Sequence, residues 1–200
     1  MKFIPLLELQ YFQELHDKRY HVDIYTKPLM GRLSHLVNHL NKYAASDLRR
    51  QSSYEDALAC ILSMANALNL NLADAISGTT HQIVMNLSEV PRQYHKSVLL
   101  NRYRIALTNM TKLVEGFDHV ETLEYREDFK AAIVEALIIL TQIREDIDEL
   151  SLDIWTLEYV IKLFELKRKS IFYAMYHEQD LKDVKYQSFV TMLFISKETK

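Results

Sequence analysis

Apolar residues recur at helical spacing along most of the chain, most clearly over residues 28–76, PLMGRLSHLVNHLNKYAASDLRRQSSYEDALACILSMANALNLNLADAI. Leu29, Leu33, Leu36, Val37 and Leu40 follow the i, i+3, i+4, i+7 rule of one helix face. Pro28 suits the first turn, where a backbone donor has no intrahelical acceptor. Residues 44–53 read as a polar turn. Ser52 with Glu55 forms a capping-box pattern opening a second helix. Its inward stripe is Ala57, Leu58, Ile61, Leu62, Ala65 and Leu68. Asn71 reads as the N-cap of a third helix, with Asp74 in its first turn. That helix is expected to reach about residue 87, with Ile83, Val84 and Leu87 inward.

The same spacing extends to both sides. Residues 6–20 predict a helix whose apolar set is Leu7, Tyr11, Phe12 and Leu15, and residues 22–27 read as a connector. Ser88 to Pro91 punctuates the chain. Pro91 is expected to start a long helix that stops at Gly116, with Val98, Leu99, Ile105, Ala106, Met110, Leu113 and Val114 inward. Residues 122–150 predict another helix, with Phe129, Ala132, Ile133, Ala136, Leu137, Leu140 and Ile143 inward, and residues 154–176 a further one. Residues 180–200 contain the apolar run from Phe189 to Ile195, which by composition suits either a strand or a buried helical turn; the helix is preferred because no partner strand is in sight. The expected fold is all-α, a bundle of six or seven helices. A break at residues 88–91 divides it into a helical core, 1–88, and a C-terminal half, 89–200, packed into the same domain.

Composition narrows the class. A hydrophobic share of 48% supports a full core, and only three Gly and three Pro argue against a turn-rich β chain. A net charge of −3 gives no basic face for nucleic acid. The single cysteine, Cys60, excludes an internal disulfide framework and fits a reducing compartment. No signal peptide or apolar run long enough to span a bilayer stands out, so a cytoplasmic protein without a membrane partner is expected.

Residues 62–76, LSMANALNLNLADAI, with GRLSHLVNHLNKYA upstream, resemble the MazG-like members of the all-α NTP pyrophosphatase superfamily. That resemblance implies a homodimer and a nucleotide ligand. Active members carry EExxE on one helix and ExxD on the next, and those carboxylates hold Mg²⁺ against the nucleotide phosphates. Here EExxE falls on Gly31, Arg32 and His35, ExxD on Ser53 and Asp56, and a later acidic position on Asn66. Only Asp56 keeps its carboxylate. Mg²⁺ prefers hard oxygen ligands, so the resemblance implies a member acting as a non-catalytic binding or assembly module. One alternative is an Mg²⁺-dependent nucleoside triphosphate pyrophosphohydrolase whose carboxylates come from Glu55, Asp56 and the acids at 145–149; Mg²⁺ is a cofactor only on that reading. The other is an unrelated helical protein-interaction bundle.

Two side-chain groups are candidate metal sites. His35 and His39 share a helix face and need further ligands, among which Glu55, Asp56, His81 and His95 are available. Glu145, Asp146, Asp148 and Glu149 reproduce the EExxE spacing, although they sit at a helix C-terminus, where negative charge is disfavoured. A solvated helix end is the alternative. His16 and His21 read as solvated histidines. Arg92, Lys96, Arg102 and Arg104 form either a solvated or salt-bridged helix face or a phosphate contact. No phosphate-binding glycine loop, G-x-S-x-G or cysteine pair is present, so nucleophilic catalysis has no support, and no catalytic residue is assigned.

Overall fold

The computed structural model describes residues 4–45, 48, 51–119, 122–145, 156, 159, 160 and 163. Among them the chain is all-α, with seven α-helices and no strand. The helices are α1 Leu6–Tyr20, α2 Val22–Tyr25, α3 Leu29–Ala45, α4 Gln51–Ala67, α5 Leu72–Thr80, α6 Leu99–His119 and α7 Leu123–Glu145. Two 3₁₀ turns, Leu87–Glu89 and Lys96–Val98, lie between α5 and α6. Thr156, Tyr159, Val160 and Leu163 are helical and buried.

α4 is the hub. It packs against α1, α3 and α7, while α6 lies across α3 and α7. Its sequence is apolar nearly all round, as a central helix requires: Tyr54, Ala57, Leu58, Ile61, Leu62, Met64 and Ala65 are all buried. The facing stripe of α3 is the expected one, with Leu33, Leu36, Val37 and Leu40 buried. α4 begins at Gln51, so Ser52 lies inside the first turn rather than at the cap. One hydrophobic cluster runs from Leu6 to Leu163 and crosses the break at 88–91.

The α4–α5 corner shows how short polar residues set the geometry. Asn69 takes the left-handed conformation, with φ 51°. Leu70 N–H donates to Ala65 O at 2.9 Å and Asn69 N–H to Asn66 O at 3.1 Å, the paired bonds of a Schellman stop. Asn71 then caps α5, its side chain accepting from Ala73 N–H and Asp74 N–H.

α1 presents a different face from the one its leucines suggest. Leu7 and Tyr11 are 57% and 55% exposed and Leu15 also faces outward, while Leu6, Leu9, Gln10, Gln13 and Asp17 are buried with Phe12. The polar residues are inside because partners meet them there. Gln10 Nε2 donates to Asn66 Oδ1 at 3.1 Å and to Leu70 O at 2.8 Å, and its Oε1 accepts from Leu72 N–H at 3.0 Å. Asn66 Nδ2 returns a bond to Gln10 O at 2.8 Å. This ladder fastens α1 to the α4–α5 corner and fixes its rotation.

Four further expectations are corrected. α5 stops at Thr80, because His81 adopts φ 56° and the chain turns back. Ser77 Oγ accepts from Val84 N–H at 2.9 Å, and Leu6 N–H donates to Met85 O at 2.7 Å, which buries Val84 and leaves Ile83 outside. α6 starts at Leu99 rather than Pro91: Gln142 on α7 holds the preceding segment extended by accepting from Tyr94 N–H at 3.1 Å and donating to Pro91 O at 3.2 Å. Its inward face is therefore Leu99, Tyr103, Ala106, Leu107 and Met110, with Val98 and Ile105 exposed. α6 also runs through Gly116, where an added Cβ would meet the Tyr125 ring at 2.9 Å, so this glycine permits close helix approach instead of ending the helix. Residues 22–27, read as a connector, hold the one-turn helix α2. No single helix among the described residues is long and apolar enough to cross a membrane.

Candidate functional site

A cleft of about 330 Å³ opens between the end of α1, α2, α3 and α4, with Tyr159 and Leu163 on its wall. Ile24, Leu36, Ala59 and Leu163 supply its apolar lining. Four histidines, one arginine and three carboxylates gather in the same depression, with Gln13, Tyr25, Cys60, Ser63 and Tyr159 completing the lining.

The α1 wall carries a buried polar network. Gln13 Nε2 donates to Asp17 Oδ1 at 2.8 Å, and Ser63 Oγ of α4 donates to Asp17 Oδ2. The Tyr159 hydroxyl donates to Gln13 Oε1, which orients the amide toward Asp17. Asp17 is only 7% exposed, so the donors substitute for water around its carboxylate. Burial, with Asp17 next, pushes the Tyr159 hydroxyl well up and keeps it protonated as a donor.

His16 precedes Asp17, and His21 lies where α1 bends into α2. The bend is pinned on both sides: His21 N–H donates to Asp17 O at 2.9 Å, and His21 O accepts from Ile24 N–H at 3.0 Å and Tyr25 N–H at 2.7 Å. The imidazole is thereby brought back beside His16, with ring centroids 5.2 Å apart. One donor atom from each of His16, Asp17 and His21 lies within 4.8 Å of the others.

The α3 wall carries Arg32, His35 and His39. Arg32 is 9% exposed; its guanidinium carbon sits 4.3 Å from the centroid of the Tyr25 ring, and its Nη2 is buried without a hydrogen-bond partner. The His35 and His39 rings are 4.4 Å apart. Burial holds His35 below the ordinary imidazole range; His39, Lys27 and His21 push the same way and Asp23 opposes them. From α4 come Glu55, which is buried, Asp56, which is exposed, and Cys60. Burial, then the fields of Asp56 and Asp17, push the Cys60 thiol up to about 12, which keeps it protonated and unreactive.

Of the residues singled out in the sequence, His35, His39, Glu55 and Asp56 all line this cleft. The side chain of Glu145, together with Asp146, Asp148 and Glu149, lies outside the described residues. His81 and His95 are exposed end residues of α5 and of the Lys96–Val98 turn, outside the cleft lining. Arg102 lies 3.7 Å from Glu135 and over the Tyr94 ring, and Arg92, Lys96 and Arg104 are exposed. His16 and His21, read as solvated, are half-buried and exposed respectively, and both line the cleft. The available signal was HDKRYH straddling a helix end, and its meaning depends on the bend at His21.

The donor set also bears on Mg²⁺. Among the described residues, the group whose possible ligand atoms come within 4.8 Å of one another is two imidazoles and one carboxylate. That set does not fit an ion that prefers oxygen ligands in an octahedral shell. Comparison of the chain with protein-family models, with curated proteins and with solved structures finds no match.

Proposed function

We propose that this protein is a helical binding module that takes a small anionic ligand, of the phosphate or nucleotide class, into the α1–α4 cleft without hydrolysing it. The observation that carries this reading is Arg32. A guanidinium cannot lose its charge at physiological pH, and burying one with an unsatisfied donor costs several kcal/mol. An anion in the cleft relieves that cost by accepting from Nη2. The Tyr25 ring beneath Arg32 holds the guanidinium plane in place. The MazG-like resemblance supports a nucleotide as the source of the anion, since Arg32 and His35 stand where that family has carboxylates. It also supports a homodimer, for which the outward Leu7, Tyr11 and Leu15 stripe of α1 is the proposed contact; a monomeric mass by light scattering counts against that part.

The test is thermal unfolding with inorganic phosphate, pyrophosphate and a nucleoside triphosphate. A ligand at a hundredfold over its dissociation constant adds about 2.7 kcal/mol of stability. The expected result is a rise in Tm for at least one anion that is lost in Arg32→Gln. No rise with any of the three, or an equal rise in Arg32→Gln, overturns the reading. The second reading, a pyrophosphohydrolase, is favoured by Glu55 and Asp56 lining the same cleft. Mg²⁺-dependent release of pyrophosphate that disappears in Asp56→Ala would establish it.

A further inference from the structure

The geometry points to a transition-metal site at the junction of α1 and α2, in which His16, Asp17 and His21 ligate a divalent ion of the zinc class. It stands on different residues from the anion reading and does not depend on it.

Four observations meet at this place. The donor atoms lie within 4.8 Å of one another. A tetrahedral zinc with bonds of about 2.0–2.2 Å sets its donors about 3.4 Å apart, so the ligands need to close by no more than roughly 1.5 Å. His21 is exposed and can make that movement by side-chain rotation. Asp17 is already oriented by Gln13 and Ser63, the kind of outer hydrogen bonding that fixes a ligating carboxylate. The site also lies at the C-terminal end of a 15-residue helix, whose partial negative charge favours a cation.

The donor types choose the metal. Two imidazoles and one carboxylate suit zinc, cobalt or iron and are poor for Mg²⁺. Three protein ligands leave at least one position free, as in sites that bind an exchangeable ligand. That position is available to groups in the same cleft, which His35 and His39 also line. An ion here places a positive charge on the wall of the cavity that Arg32 lines, so metal and guanidinium can act on one anion from two walls.

The experiment uses the full chain, stripped of metal by chelator and titrated at neutral pH with Zn²⁺, Co²⁺ and Mg²⁺ alone, with no nucleotide present. Binding is read by competition with a chromophoric chelator and by the visible spectrum of the Co²⁺ form. One Zn²⁺ per chain is expected, with a Co²⁺ spectrum of four- or five-coordinate type and Mg²⁺ failing to compete. His21→Gln changes an exposed residue and is expected to keep the fold while weakening Zn²⁺ binding at least about tenfold, the lower end of what disturbing a metal's ligand shell does. Asp17→Asn is expected to do the same. His95→Gln, away from the cleft, is expected to leave binding unchanged. Absence of stoichiometric Zn²⁺ binding, unchanged affinity in His21→Gln, or equal competition by Mg²⁺ overturns the assignment.

Discussion

Ser63→Ala removes the hydrogen bond that prepares Asp17, together with a longer one that Ser63 Oγ accepts from Gln13 Nε2 at 3.3 Å. Ser63 is 3% exposed and Asp17 7%, so neither group finds bulk water when the other is removed. Ser63 Oγ donates to Asp17 Oδ2, while Gln13 Nε2 donates to Oδ1 at 2.8 Å and remains in the variant. A hydrogen bond to a charged group contributes about 1.5–3 kcal/mol, and a buried acceptor left short of a donor carries the desolvation penalty as well. The lost oxygen leaves little empty volume, so the cavity contribution is small beside this. The expected destabilisation of the metal-free protein is therefore about 2 kcal/mol. Urea unfolding in the presence of a chelator reads it as a lower midpoint, by roughly 1 M for a slope of about 2 kcal/mol per M, with the slope unchanged. On an Asp17→Ala background the same substitution removes only the bond from Gln13 Nε2 to Ser63 Oγ, and should cost no more than about 1 kcal/mol. A loss below about 0.5 kcal/mol in the Asp17 background of the native protein, or equal losses in both backgrounds, refutes the view that Ser63 acts through this carboxylate.

Other outcomes follow from the same structure. Leu9→Ala, at a fully buried position, should cost about 2–5 kcal/mol in chemical unfolding. Leu7→Ala, measured at concentrations where the chain is monomeric, should stay within about 0.5 kcal/mol, and the reverse order would mean that α1 is rotated by half a turn. Cys60, with its thiol raised to about 12 and its sulfur buried, should resist iodoacetamide at mildly alkaline pH until the protein unfolds; rapid labelling of the folded chain would contradict this. His35 has its folded pKa below that of the unfolded chain, so its contribution to stability is complete above the ordinary imidazole value of about 6.5 and is lost as pH falls towards the folded value. Unfolding midpoints measured across that window should fall more in the native protein than in His35→Gln, and identical acid-side profiles would count against the lowered pKa.

The helical class follows from apolar period alone, because a stripe at 3.6-residue spacing has a single way to be buried. α3 and α7 illustrate it: the structure buries Leu33, Leu36, Val37 and Leu40 of the first and the whole expected stripe of the second, to which α7 adds Val134, Ile138 and Ile139. The Asn71 cap was equally legible, because the bonds it makes are to residues two and three positions on. α1 was not. Its leucines and aromatics outline one face, yet Gln10, Gln13 and Asp17 occupy the interior. Burying them is favourable only when Asn66, Ser63 and Tyr159 stand opposite, at separations of 56, 46 and 146 residues for the bonds to Gln10, Asp17 and Gln13. No local spacing encodes such partners. The cleft shares this origin. His35 and His39 declare themselves as neighbours on one helix, whereas His16 and His21 lie five residues apart across a helix end and meet only because the backbone bends at His21. Arg32 looks like any helix-surface arginine in sequence; Tyr25 and the cleft walls, brought together by packing, take its guanidinium out of water and leave one donor unsatisfied. Periodicity fixes which elements form, since each helix satisfies its own backbone. Which polar groups are buried among them, and therefore where chemistry is possible, is decided by long-range packing, because a buried polar group is stable only beside a partner that the rest of the fold supplies.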